Sequence, residues 1–315
     1  MSNTILDHVA EQRQALKKFI GNNMAKLGRK CSEHISNPEK LDKLLKAHFK
    51  GSNYCKYLWV LDHTGHQLTA TVSRKKLKEE QRGRDRVSRP YMQRALTGDP
   101  FYLSDAYISR NRKRPSLTSV QTIFDDDGRA IGFLGADFDL RKLPYTAKLK
   151  LDKKGWMQMK GDPAIRGGLF AQQRTVSAMD EKIDDVLSLM TELILGHGVF
   201  HAKLHFSSSR ATVWLVDSPF DYQLLNIDEL TDASVCLAFA KRDYFDKAIV
   251  PRKKLVKIFQ QFKKLRFADE TIYLRSASLN VVNGKVGLNF SCDGSHYVSY
   301  DEFLEKDNKF WFGVK

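Results

Sequence analysis

Hydrophobic positions at the start of the chain recur at helical spacing. Between about Asn3 and Ser36 the apolar residues are Ile5, Val9, Leu16, Phe19, Ile20, Met24 and Leu27. Spacings of three and four predict one long amphipathic helix. Its narrow apolar stripe suits either pairing with a second copy, which predicts a homodimer, or packing on its own domain. A second helix is predicted over 39–49, after Asn37 and Pro38, because four apolar residues share one face.

The pattern then changes to short β-rich runs. Residues 54–62 and 67–72 form one predicted pair of strands, turned at His63-Thr64-Gly65. Residues 116–124 and 130–140 form a second pair, joined by Asp125–Gly128, whose Asp-Gly step favours a hairpin turn. These runs predict an antiparallel sheet.

A highly charged connection and a short helix separate the two pairs of strands. Ser88 is the predicted N-cap and Pro90 the first helical residue, where its missing N–H costs nothing. The basic residues before the helix are Arg74, Lys75, Lys76, Lys78, Arg82, Arg84, Arg86 and Arg89. A helix N-terminus offers free N–H groups and a partial positive charge. Arginines placed there predict a receptor for a carboxylate, although most of this charge run is expected on a solvated face.

The second half of the chain shows a different arrangement. Residues 144–174 carry Gly and Pro breaks and are interpreted as a linker or covering loop. The predicted elements after it are a helix over 177–195, strands over 199–206 and 211–217, a helix over 251–267, a hairpin of 271–282 with 285–290, and a short helix over 299–304. Asn283-Gly284 in the hairpin predicts a type I′ turn.

The predicted fold class is therefore α+β: a long N-terminal helix, an antiparallel sheet, and a second α+β domain of unknown type. The predicted organisation is an N-terminal helix over 1–36, a first domain over 37–145, a linker over 146–176 and a C-terminal domain over 177–315.

Five features of residues 38–144 resemble the extracytoplasmic PAS-like sensor domains known as Cache or PDC domains. They are Arg89-Pro90-Tyr91, the run Ser104–Ser109, Arg114-Pro115-Ser116, the Asp-Gly hairpin and the run Ile131–Asp137. Each is weak alone, but they occur in the family's order. The resemblance implies a single Cache domain that binds a small molecule, and it covers under half of the chain.

The resemblance also implies a ligand site. Arg89 matches the arginine that holds a ligand carboxylate, and Tyr91 stands where tryptophan is usual. Tyr107 and Asp137 match residues that hold a ligand amine, but Ser109 replaces a second acidic residue there. An ammonium needs acceptors to offset its desolvation, so a simple carboxylate or other small anion is expected rather than an amino acid. The candidate ligand-binding residues are Arg84, Arg86, Arg89, Tyr91, Tyr107, Ser109 and Asp137.

The net charge of +15 favours anionic partners or reflects simple solubility. Four cysteines, Cys31, Cys55, Cys236 and Cys292, form no CxxC pair, which fits a reducing compartment. The N-terminus lacks the apolar core of a signal peptide and no run is long enough for a transmembrane segment. These observations predict a cytoplasmic bacterial sensory protein that signals by conformational change to an unknown output partner.

Two other functions remain open. The helix over 251–267 surrounds its apolar stripe with Arg252, Lys253, Lys254, Lys257, Lys263, Lys264 and Arg266, so it is a candidate surface for nucleic acid or an anionic membrane. The C-terminal half is a candidate for an enzyme without a local motif. No catalytic residue, cofactor or metal site is predicted. His197, His201 and His205 are spaced by four, but the alternating run that holds them predicts a strand with its histidines on the polar face.

Overall fold

The computed structural model describes residues 5–49, 54–108, 114–144, 173–291 and 294–312. The chain divides into two compact units, Val9–Ala147 and Lys148–Lys315 together with Met1–His8. Each unit is built on an antiparallel sheet with helices. The predicted α+β class, with a long N-terminal helix, is confirmed. The predicted linker lies almost wholly outside the described residues, and the four-part organisation stays a prediction.

Two helices begin the chain. Helix α1 spans Ile5–Ser32, and helix α2 spans Pro38–His48. The Asn37 side chain caps α2 by accepting a hydrogen bond from the Lys40 N–H at 3.0 Å. The buried residues of the α1 stripe are Ile5, Val9, Leu16, Ile20, Met24 and Leu27. The stripe therefore packs against other residues of the same chain, whereas Leu6 and Phe19 remain exposed. Pairing of two copies through α1 stays a prediction.

The first unit carries a seven-stranded antiparallel sheet. Its strands are β1 Cys55–Asp62, β2 Thr71–Val72, β3 Leu77–Lys78, β4 Phe101–Leu103, β5 Tyr107–Ile108, β6 Pro115–Phe124 and β7 Ala130–Asp139. The order is β3-β2-β1-β7-β6-β4, and β5 pairs with β6. The β6–β7 turn is closed by the Asp125 N–H bonding to the Arg129 carbonyl at 2.9 Å, with Gly128 at a φ of +79°. A left-handed φ of this kind favours glycine, as the Asp-Gly step predicts.

The charged connection and the short helix differ in detail from the prediction. Helix α3 spans Pro90–Ala95, and its N-cap is Arg89, which makes no side-chain capping bond. The prediction that Ser88 is the N-cap is therefore wrong, whereas Pro90 does occupy the first helical position. The connection is ordered by the edge strand β3 and by one 3₁₀ turn, Glu79–Gln81.

The second unit has a six-stranded antiparallel sheet in the order β10-β9-β8-β11-β12-β13. Its strands are β8 Val199–His205, β9 Arg210–Leu215, β10 Ser218–Leu225, β11 Leu274–Asn280, β12 Lys285–Phe290 and β13 Ser295–Ser299. Its helices are α4 Ala178–Glu181, α5 Ile183–Gly196, α6 Ile227–Thr231, α7 Leu255–Phe267, α8 Tyr300–Glu305 and α9 Asn308–Phe312. Strands β10 and β13 were not predicted.

Two predictions about this unit are corrected. Asn280 pairs with Lys285, so the β11–β12 loop has four residues, and Gly284 has a positive φ whereas Asn283 does not. A type I′ turn needs a positive φ at both positions, so that prediction is wrong. Arg266 does not lie on a basic face of α7, because its side chain is fully buried in an ion pair with Asp180.

None of the described helices is both long and apolar enough to cross a membrane. Within the described ranges, no group of three or more His, Cys, Asp or Glu side chains is arranged to hold a metal ion.

Candidate functional site

The register of three central strands places a row of polar side chains on one face of the first sheet. Tyr57 on β1 pairs with Asp137 on β7, and Asp137 pairs with Thr118 on β6. Directly paired residues of antiparallel strands share a face. The row therefore brings a phenol, a carboxyl group and a hydroxyl group side by side on what we call the front face.

Trp59 forms the floor next to this row. It pairs with Gly135 and is only 1% exposed. A Cβ atom on Gly135 would come within 2.2 Å of the Trp59 ring, so only glycine leaves room for the indole in this position. The guanidinium of Arg86 lies over the Trp59 ring, 4.5 Å from its centroid, in a cation–π contact. The indole thus supports a cation above the sheet.

Arg86 is held firmly at one nitrogen and loosely at two. Its Nε donates to Gln67 Oε1 at 2.7 Å, whereas Nη1 to the Tyr91 hydroxyl and Nη2 to Thr71 Oγ1 both measure 3.3 Å. Bonds of 3.3 Å to neutral oxygens are long and weak. Within the described part of the chain, Arg86 forms no ion pair with a carboxylate. An anion that approaches the two outer nitrogens can therefore replace weak partners with a charge-assisted pair.

A chain of hydroxyl groups leads to Asp137. Thr118 donates to Asp137 Oδ1 at 2.7 Å, and the Tyr107 hydroxyl consequently donates to Thr118 Oγ1 at 2.8 Å. Burial raises the pKa of Asp137 above its ordinary value, against the lowering effects of the Thr118 hydrogen bond and the Arg86 charge. Burial, and then the nearby Asp137, also raise the pKa of Tyr107. Tyr107 therefore keeps its proton and remains a donor at the 40% exposed rim of the site.

Two lysines add positive charge beside the row. The ammonium of Lys78 lies 4.7 Å from the centroid of the Tyr57 ring, and that of Lys56 lies 5.4 Å from it. The charges of Arg86 and Lys56 both act on the carboxyl group of Asp137, and Lys78 adds a third cation beside Tyr57. The charge balance of the site favours an anionic group on a ligand.

The raised pKa of Asp137 predicts a pH-dependent effect on the stability of the ligand-free protein. A carboxyl group whose folded pKa lies above its unfolded value favours folding at low pH, and this contribution is lost as the pH rises through the folded pKa. We expect Asp137→Asn to unfold at an increasingly higher temperature than the unsubstituted chain as the pH is raised from about 4 towards 7. Thermal unfolding across this range measures the difference.

Asp126→Asn is the matched control, because Asp126 lies on the exposed β6–β7 loop and its replacement removes the same charge. The burial argument would be contradicted if the change in unfolding temperature caused by Asp137→Asn did not depend on pH. It would also be contradicted if that change equalled the one caused by Asp126→Asn.

The structure brings four of the predicted ligand-binding residues together: Arg86, Tyr91, Tyr107 and Asp137. Ser109 lies outside the described residues. Arg84 is exposed and donates to Gln81 Oε1 at 2.6 Å. Its place beside a ligand stays a prediction.

The role of Arg89, the arginine that the family resemblance places at the ligand carboxylate, also stays a prediction. The Arg89 N–H closes a turn by bonding to the Arg86 carbonyl at 3.0 Å, and its own side chain is exposed at the N-cap of α3. Of the two arginines, Arg86 is the one whose guanidinium lies over Trp59.

Sequence reasoning missed the residues that support the site: Tyr57, Trp59, Gln67, Thr71 and Thr118. The sequence does carry a signal for Tyr57 and Trp59, because aromatic residues two positions apart in a predicted strand share one face of the sheet. Gln67 and Thr71 give no comparable signal, since they reach Arg86 only through the folding of a loop over the sheet.

The chain matches no protein-family model and no curated protein. Solved structures align with 42% of it. An extracellular ligand-binding receptor from Desulfohalobium retbaense is 15% identical, with a TM-score of 0.34. The ligand-binding domain of the Pseudomonas fluorescens chemoreceptor CtaA in complex with L-serine is 19% identical, with a TM-score of 0.34. That of the Campylobacter jejuni chemoreceptor Tlp3 in complex with L-valine is 21% identical, with a TM-score of 0.32.

The alignments span 24%, 55% and 58% of these three chains, respectively. With TM-scores below 0.5, they carry no argument about ligand or mechanism. The Cache-like fold of the first unit is seen in the chain itself: a long helix, an antiparallel sheet with the Asp-Gly hairpin at its centre, and a short helix that begins at Pro90.

Proposed function

We propose that the first unit is a sensor domain that binds a small carboxylate-bearing molecule on the front face of its sheet. The observation that carries the proposal is Arg86, a partly buried guanidinium fixed by Trp59 and Gln67 with its two outer nitrogens weakly engaged. A planar guanidinium in this state suits two-point binding of a carboxylate. Tyr91, which shares Nη1, would donate its hydroxyl proton to the same group.

The remainder of the ligand would face Tyr107 and Asp137. The two chemoreceptor domains named above are complexes with amino acids, and an amino acid also carries a carboxylate. In the described part of this site, however, Asp137 lies beside the cations Arg86 and Lys56, with Lys78 over the neighbouring Tyr57 ring, and the next carboxyl group on the strand, Asp139, is paired with Arg114 and Arg141. The carboxylate is therefore the required group in this proposal, and an ammonium is not.

Binding would be transmitted through the connection that carries Arg86. This segment is attached to α2: Arg82 donates to Asp42 at 2.6 Å, and Lys46 donates to the carbonyls of Ser73 and Arg74, both at 3.0 Å. A ligand that moves Arg86 would shift the population of positions of this connection and of α2. The output partner and a cytoplasmic location stay predictions from the sequence.

A thermal-shift screen of the full chain tests the proposal. It pairs each amino acid with the carboxylate that lacks its amine, such as L-valine with isovalerate and L-alanine with propionate. A ligand at 100 times its dissociation constant stabilises the unit that binds it by about 2.7 kcal/mol. We expect at least one carboxylate without an amine to raise the unfolding temperature. If no carboxylate without an amine does so, the proposal is wrong.

A further inference from the structure

The sheet of the second unit has one covered face and one open face. The residues of its central strands that are buried on the covered face include Ala202, Leu204, Val213, Ala277, Leu279 and Leu288. The long helices α5 and α7 pack on the sheet and bury apolar stripes of their own. The alternate residues of β8, His201, Lys203 and His205, lie on the other face and remain partly accessible, as the alternating run predicts. We call this surface the open face.

The strand register defines what the open face presents. One row crosses all six strands through Leu224, Thr212, Lys203, Ser278, Gly287 and Tyr297. Ser278 and Gly287 in the middle of the row are small, and they pack closely, because a Cβ atom on Gly287 would meet Ser278 Oγ at 2.5 Å. What we call the trough is this line of small residues between the larger side chains of β9 and β13.

Aromatic rings stand at both sides of the trough. On β8 and β9, His201 and Trp214 are stacked at 4.6 Å with an interplanar angle of 18°, and Tyr222 lies 6.1 Å from Trp214 and is 46% exposed. On β13, Tyr297 rests against Gly287 and is 74% exposed. Four strand spacings separate β9 from β13, which is about 19 Å. Two exposed aromatic rings at this separation can each stack with a different planar group of one extended ligand.

The paired positions of the open face carry charge of one sign, and the nearby carboxylate of Asp301, on the helix after β13, interacts with Lys285. In the three rows that pass through His201, Lys203 and His205, the charged residues are Lys203, Arg210 and Lys285, and no Asp or Glu occurs at a paired position. The histidines present neutral rings rather than charges. Burial, and then Lys203, lower the pKa of His201 and lower that of His205 to about 4.

We propose that the open face binds single-stranded nucleic acid. Unpaired bases would stack on Trp214 and Tyr297, the Ser278 hydroxyl would bond to a base edge, and Lys203, Arg210 and Lys285 would pair with phosphates. A duplex hides the faces of its bases and offers nothing for the rings to stack on. The absence of carboxylates from the paired positions favours a polyanion over a neutral polysaccharide. This surface differs from the helix over 251–267 that the sequence suggests.

Fluorescence anisotropy with the full chain tests this inference. The probes are a labelled single-stranded RNA, a single-stranded DNA and the corresponding DNA duplex. Three phosphate contacts give a slope of about −2 in a plot of log affinity against log salt, so the affinity of a single strand should fall roughly 20-fold between about 50 and 200 mM salt. Tyr297→Ala, at a largely exposed position, should weaken binding at least about 5-fold through lost stacking. Lys203→Ser should make the slope shallower by about 0.7.

Lys253→Ser in the basic segment before α7 is the matched control, because it removes the same charge from a different surface and should leave the affinity unchanged. Arg86→Met in the first unit should also leave it unchanged, so the failure of one proposal does not imply the failure of the other. The inference is overturned if the duplex binds as well as the single strands, if Tyr297→Ala has no effect, if Lys253→Ser weakens binding as much as Lys203→Ser, or if no single strand binds at the lower salt concentration.

Discussion

Replacing Arg266 by methionine should destabilise the second unit by about 3–5 kcal/mol, because the substitution leaves the buried carboxylate of Asp180 without its partner. Both side chains have no exposed surface. Arg266 donates from Nε and Nη2 to the two oxygens of Asp180 at 2.7 and 2.6 Å, and from Nη1 to the Leu274 carbonyl at 2.9 Å. The guanidinium also lies near the rings of Phe206 and Tyr273, at 5.5 and 5.3 Å.

The neighbouring pair Lys263–Asp184 provides the matched control. It joins the same two segments, α7 and the start of the helical region that follows Ser177, at 2.7 Å, but it is largely exposed. Lys263→Met should therefore cost no more than about 1 kcal/mol. Urea unfolding of the full chain, with hydrogen exchange of residues 199–225 as the local probe, measures both variants. If Lys263→Met and Arg266→Met lowered the free energy of unfolding equally, the assignment of the Arg266–Asp180 ion pair to the core would be contradicted.

Replacing Arg86 by methionine should weaken binding of a carboxylate identified in the thermal-shift screen by at least about 30-fold. Truncating one partner of a buried, hydrogen-bonded charge pair costs about 2 kcal/mol or more. Methionine keeps much of the length of the side chain and its contact with Trp59, so the fold of the site should be retained. Calorimetric titration of the full chain with that carboxylate measures the change.

Arg89→Met is the control for this experiment, because Arg89 carries the same charge three residues away on an exposed side chain. It should reduce the affinity by less than about 5-fold, the size of a screened surface effect. The opposite result, with Arg89→Met abolishing binding and Arg86→Met leaving it intact, would show that the family resemblance located the carboxylate better than the ligand-free structure does.

Much of the fold could be predicted because the relevant signals are local. Pro90 after an extended residue begins α3, Asn37 caps α2, and the Asp-Gly step turns β6 into β7. Each of these choices depends on the backbone preferences of a few adjacent residues. Strand β10 was missed because its polar and aromatic residues show no regular alternation, and pairing with β9 is what makes them a strand.

The candidate site was likewise predicted only in part. The residue types were visible in the sequence: arginines near the start of a helix, a tyrosine on the following strand and an aspartate at the end of the hairpin. Which arginine contacts Trp59 was not visible, because Arg84, Arg86 and Arg89 lie in one charged segment and the family resemblance pointed to Arg89. Trp59 distinguishes Arg86 from the others, and the two residues are 27 positions apart along the chain.

The sequence by itself determined the order of most elements and the α+β class, because periodicity, capping and turn chemistry act between neighbouring residues. The Cache-like character of residues 38–144 was indicated by a resemblance of five short motifs. Only the tertiary structure decided that Arg86 is the central cation, that Arg266 lies in the core instead of on a basic helix face, and that aromatic and basic residues from separate strands share one open surface. These outcomes depend on strand register and on packing between distant segments, and no local pattern specifies either.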